Sequence, residues 1–226
     1  MSEPYRLDNW QSGVGMACHA ERVRLLFALS RTSVAATLAA TLLVAVWMWP
    51  VVPRDRLAFW TALMLLNVGT LAWMHWRYLN RSPRFEEAPR WERWFALKAA
   101  AGGLIWGMAI WLLTPHTEDL SRFFFVLTLC AVSLGATAVF APSRLAYYAF
   151  MAPMMLPAVS FLLMGRPDDT AAAGWAVLIY LAVLVGVHDL LHRNLVATIQ
   201  GRYESEALAS EHKVILDSAA EAIGLL

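Results

Sequence analysis

The sequence predicts an all-α polytopic membrane protein with six transmembrane helices, the last continuing into the cytoplasm. Three observations carry this. Of 226 residues, 59% are hydrophobic and only 15% charged, against about 25% charged in soluble domains. Six apolar runs are each long enough to cross a hydrocarbon core of about 30 Å, which takes about 20 helical residues. The sixth run passes without a proline into the polar stretch "HRNLVATIQGRYESEALASEHKVILDSAAEA".

In chain order, residues 1–31 form an N-terminal segment. They lack the basic, apolar and small-residue succession of a signal peptide, which places them in the cytoplasm. Within them, residues 17–29 suit a short helix along the inner leaflet, with Arg22 and Arg24 at the headgroups, or a plain lead-in to the first span. The spans are residues 32–52, 57–77, 95–114, 122–141, 145–164 and 174–191. Turn chemistry separates them: "PVVPRDR", "NRSPRFEEAPRWERW", "TPHTEDLSR", "APSR" and "GRPDDTAAAG". Glu118 with Asp119, and Asp168 with Asp169, read as solvated outer turns.

Six is an even number, so both termini share a side. With the termini inside, fourteen Lys and Arg residues lie on the cytoplasmic side, Lys98 among them. Only Arg54, Arg56, Arg122 and Arg166 lie outside, which accounts for all 18. The predicted location is a membrane, with both termini on its cytoplasmic face. Trp47, Trp49, Trp60, Trp111 and Trp175 fall at the outer edge, and Trp73, Trp76, Trp91 and Trp94 at the inner edge, as an aromatic belt. Net charge is +1, so no basic field points to nucleic acid. Cys18 and Cys130 do not make a disulfide framework.

Beyond the sixth span, residues 194–217 contain good helix formers. Leu195, Ile199, Tyr203, Ala207 and Val214 trace a partial apolar stripe, interrupted by Ser210. So polar a helix frays alone, which predicts support from a second copy of the chain as a homodimer. Two segments, "FAPSRLAYYAFMAPMMLP" and "HRNL…RYESEAL", with the layout of residues 91–208, resemble the six-helix membrane input module of bacterial signalling proteins. The closing "VILDSAAEAIGLL" is similar to the start of a PAS domain. That resemblance implies that residues 32–193 are a sensor bundle and residues 194–217 a signalling helix through His192, Leu195, Ile199 and Tyr203. Residues 218–226 would open a PAS domain, with a strand from Ile223. Ser218 and Glu221 also have the spacing of a helix-start capping box.

Polar groups at membrane depth are site candidates. Asn67, midway in the second span, is expected to hydrogen-bond to a neighbouring helix, with contact to a ligand as the alternative reading. His188 and His192 share a helical face. With His75 they are the only candidates for a metal or haem, but no Cys or carboxylate joins that face. An interfacial polar cluster, or proton sensing at His188, is preferred, and no cofactor is expected. Ala99, Gly103 and Gly107 recur every four residues, a stripe for close helix packing. Pro153 and Pro157 remove backbone donors from the fifth span and are expected to kink it. A ligand pocket is expected between the third, fifth and sixth spans, floored by Trp106 and lined by Pro153, Pro157 and His188. Met151, Met154 and Met155 share a face that suits core packing better than soft-metal transport.

No Gly-rich phosphate loop, nucleophile–base pair or paired carboxylates within a span appear, so this chain is not expected to turn over a substrate. The cue would be small, lipidic or a property of the bilayer. The resemblance implies an output in cyclic-di-GMP synthesis or breakdown, reached through a PAS domain, with a histidine kinase as the alternative. A small transporter is the third reading, weakened by the scarcity of intramembrane charge.

Overall fold

The computed structural model describes residues 3–81, 83–114, 119–164 and 171–224, and among them every element is helical. The elements are α1 (Glu3–Met48), α2 (Arg54–Arg81), a 3-10 turn (Phe85–Glu87), α3 (Ala88–Leu113), α4 (Asp119–Val139), α5 (Arg144–Met164) and α6 (Ala171–Gly224). All six α-helices are long and apolar enough to cross a membrane. Leu42, Val46, Phe59, Leu66, Leu156 and Ile179 lie exposed on the outside of the bundle, an apolar surface suited to lipid.

Turn residues end the helices where the sequence places them. Val51 and Val52 N–H both donate to the Met48 carbonyl, closing α1. Pro89 stands in the first turn of α3, where its missing N–H costs nothing. In "APSR", Ser143 Oγ accepts the Ala146 N–H at 3.1 Å and caps α5. Glu118, Asp168 and Asp169 lie outside the described residues, while Asp119 opens α4.

Expectations at the two ends of the chain fare differently. Of the two readings of residues 17–29, the lead-in to the first span is the one seen, and the separate surface helix is not. These residues belong to α1, whose 46 residues give a length of about 69 Å. Nothing from Ala17 to Thr32 breaks a helix, and Val23, Leu26 and Phe27 are buried against the bundle. At the other end of the chain, α6 remains helical through Ile223 and Gly224. A strand needs a hydrogen-bonding neighbour, and none is among the described residues. Leu225 and Leu226 lie outside them.

The centre of the bundle is the α3–α5 contact. A Cβ added at Gly103 would overlap the Phe150 carbonyl oxygen, and one at Gly107 the Pro153 carbonyl oxygen. Gly103 and Gly107 of the predicted small-residue stripe are therefore taken up by backbone contact with α5. Pro157 has no N–H to offer the Pro153 carbonyl, and Gly107 packs over that freed oxygen. The Trp111 indole N–H donates to the Pro157 carbonyl at 3.1 Å, and the Trp60 indole N–H to the Ile105 carbonyl at 3.2 Å. Despite two internal prolines, α5 is one helix. Met151, Met154 and Met155 are buried in the core.

Most belt tryptophans are exposed, but Trp60 and Trp91 are turned inward. Trp60 meets Trp106 edge to face at 5.4 Å, and Trp91 meets Phe27 and Tyr78. Hydropathy tells depth along a helix; which face a tryptophan takes depends on neighbours that a hydropathy window does not see.

Candidate functional site

Two places gather polar groups. The first is a cavity of about 490 Å³ between α1, α2, α3 and α4, within the range of small-molecule sites. Aromatic contacts prop its two ends. At the end bearing Arg77 and Arg144, here the basic end, Phe27 on α1 stacks on Tyr78 of α2 at 3.9 Å and meets Phe95 of α3 at 5.3 Å. At the opposite end Trp47 on α1 stacks on Phe124 of α4 at 4.6 Å. Between the props the facing residues are small: Ala36 and Ala40 on α1, Ala99 and Gly102 on α3, Ala131 and Gly135 on α4. Helices held apart by rings and lined by methyl groups leave a void.

Trp106 and Asn67 line this cavity; Pro153, Pro157 and His188 do not. It therefore lies among the first four helices, with Phe150 of α5 on its wall, and not at the expected place between the third, fifth and sixth spans. At Gly103 and Gly107 the backbones of α3 and α5 are in direct contact, which closes those two helices together at that level. Asn67 is 8% exposed and packs against Gly102, where an added Cβ would lie 2.9 Å from its Nδ2. Its side chain does not make the expected bond to a neighbouring helix: the amide faces the cavity. Lys98 also lines the cavity and makes no ion pair among the described residues. In the sequence this lysine counts only as an inner-edge charge. The available signal was its position four residues before Gly102, on one helical face.

The second place is the "APSR" turn at the basic end, which grips three helices. The His192 Nδ1–H donates to the Ala141 carbonyl at 2.8 Å, which fixes the tautomer because a carbonyl only accepts. Arg144 pairs with Asp189 at 3.1 Å, and Arg193 approaches the same carboxylate at 3.8 Å. Ser143 donates to Glu92 on α3 at 2.5 Å, and Glu92 pairs with His19 on α1 at 3.1 Å. His188 is fully buried, stacked on Tyr147 at 3.7 Å, with Nδ1 3.5 Å from the Thr137 carbonyl oxygen. The segments "FAPSRLAYYAF" and "HDLLHRNL" thus touch through His188, Asp189 and His192.

His75 lies elsewhere, its Nδ1 3.5 Å from Ser30 Oγ, while the His188 and His192 rings are 6.1 Å apart. Among the described residues, no group of three His, Cys, Asp or Glu side chains is arranged to hold a metal. The stripe on α6 faces α1: Leu195, Ile199 and Tyr203 form a groove with Glu21, Arg24 and Leu25. Ile199 is 7% exposed. This face was expected to meet a second copy of the chain, and α1 covers it because α1 extends well past the first span. The side chains of Ala207, Ser210 and Val214 are outside the described set. Compared with known proteins, the chain matches no family model, no curated protein and no solved structure.

Proposed function

We propose that this chain is a membrane-embedded sensory input module that passes a membrane or small-molecule cue through α6 to a cytoplasmic output. The observation that supports it best is the continuity of α6. Its 54 residues extend about 80 Å, against a hydrocarbon core of about 30 Å. About 50 Å of rod is left outside the lipid. The polar grip of the "APSR" turn ties that rod to α3, α4 and α5, so a shift within the bundle is felt along it.

In this reading both termini are cytoplasmic, the host is a bacterial inner membrane, and the output is a PAS-linked diguanylate cyclase or phosphodiesterase. A histidine kinase is the alternative output. Since Leu195 and Ile199 face α1, we place a homodimer contact on α6 beyond Glu206. The test is a fusion of the chain to a diguanylate cyclase domain lacking its own sensor, with one to seven residues inserted after Ala209. Each inserted residue turns the output by about 100°. Cyclic-di-GMP levels that rise and fall with helical phase support transmission through a rod. Levels indifferent to phase would refute it.

A further inference from the structure

We propose that the cavity among α1–α4 binds an acidic amphiphile, with its carboxylate or phosphate paired to Lys98 and hydrogen-bonded by Asn67. Its acyl chain runs toward Trp106 and Phe124. Four observations carry this. Among the described residues, Lys98 is the one charged residue on the cavity wall, and it has no counter-ion. An ammonium on the wall of an apolar cavity without a partner is costly, and an anion arriving with an apolar tail supplies that partner.

Asn67 is a second polar side chain without a hydrogen-bond partner among the described residues, more than nine-tenths buried and turned into the same space. Because it packs on Gly102, one turn from Lys98, its amide sits about 6 Å further along α3, within reach of one headgroup. Polarity along the cavity is graded. Thr32, Ser33 and Lys98 gather at the basic end, and Leu43, Trp106 and Phe124 close the other. From Thr32 to Leu43 the wall runs about 16 Å, a slot rather than a sphere. It also opens sideways: Ala36 on α1 and Ala131 and Gly135 on α4 line it and remain exposed. With the basic end toward the cytoplasm, that opening faces the inner leaflet with the charge at headgroup level.

The inference deepens the proposed function, on which its regulatory meaning rests, but binding is measured on the isolated chain. Failure of binding would leave the helical-phase result standing, and the reverse also holds. The experiment is saturation binding of radiolabelled palmitate to the full chain in neutral detergent. Competitors are palmitate, its methyl ester, phosphatidylglycerol and phosphatidylcholine. We expect saturable binding of palmitate at one per chain, or specific retention of phosphatidylglycerol. Palmitate alone identifies a free fatty acid as the source; phosphatidylglycerol displacing it identifies an inner-leaflet phospholipid.

Lys98→Met should weaken binding at least tenfold, and Lys98→Arg should restore it to within threefold. Gly135→Leu, at a position whose Cβ meets nothing within 4 Å, should block entry without disturbing the helix. Equal competition by the methyl ester or by phosphatidylcholine would overturn the proposal, since it would mean a greasy slot that takes any chain. So would unchanged affinity in Lys98→Met, or no saturable binding of either anion.

Discussion

Replacing Gly103 or Gly107 by alanine tests the packing that shapes the whole bundle. In a helix, alanine is favoured over glycine by about 1 kcal/mol, so a glycine with free space around it gains from the change. Gly69, Gly135 and Gly186 are such positions, with nothing within 4 Å of an added Cβ. At Gly103 and Gly107 the new methyl meets backbone oxygens of Phe150 and Pro153, which cannot rotate away as a side chain would. Overpacking costs about 1–3 kcal/mol; the upper end applies here, and subtracting the propensity gain leaves about 2 kcal/mol per site. The two sites share one interface, so a single separation of α3 from α5 relieves both, and the double variant should lose less than the sum. The assay is unfolding in mixed micelles of neutral detergent and dodecyl sulfate, followed by circular dichroism. Gly103→Ala and Gly107→Ala as stable as Gly135→Ala would refute the close α3–α5 contact.

Four further outcomes follow from named contacts. Trp60→Phe removes the indole bond to the Ile105 carbonyl and should cost about 0.5–1.5 kcal/mol in the same assay. At the "APSR" turn, Asp189→Ala should cost under about 1 kcal/mol because its ion pairs are partly exposed. His192→Ala should cost more, about 1–3 kcal/mol, since it strands a buried carbonyl; the reverse ranking would contradict the reading of His192 as the anchor. Tyr203 shares a groove with Glu21, which stands one helical turn along α1 from Cys18, so Tyr203→Cys in a Cys130→Ser background should be joined to Cys18 by a short bis-maleimide. Digestion between α1 and α6 then shows one band if they touch and two if they do not.

Helix number and approximate span limits are legible in the sequence because both follow from local sums: hydropathy over about 20 residues and the turn residues that interrupt it. The close-packing role of Gly103 and Gly107 is legible for the same reason, as spacing on one face. Partners are not. The cavity depends on Phe27 meeting Tyr78 and Trp47 meeting Phe124, contacts between residues 51 and 77 positions apart, which no window reads. Lys98 could be counted in a charge tally, but its place on a cavity wall follows only once α1 and α4 stand apart. The stripe of Leu195 and Ile199 was visible, yet its partner was not, because the reach of α1 past the first span decides it. Asn67 follows the same logic: its depth was readable, and the glycine opposite it that turns its amide inward was not.

The central claim is that α6 is one rod from within the bundle to well beyond it. Electron–electron distance measurement on spin labels at Leu190 and Ser205, in liposomes and in a Cys18→Ser, Cys130→Ser background, tests it directly. Both positions are exposed, and they lie fifteen residues apart on one helix, so a continuous rod places their Cα atoms about 22 Å apart. A single narrow distribution consistent with that separation is the expected result. A broad or multiply peaked distribution would mean that the rod breaks where it leaves the bundle, and the proposed route from membrane to output would be lost.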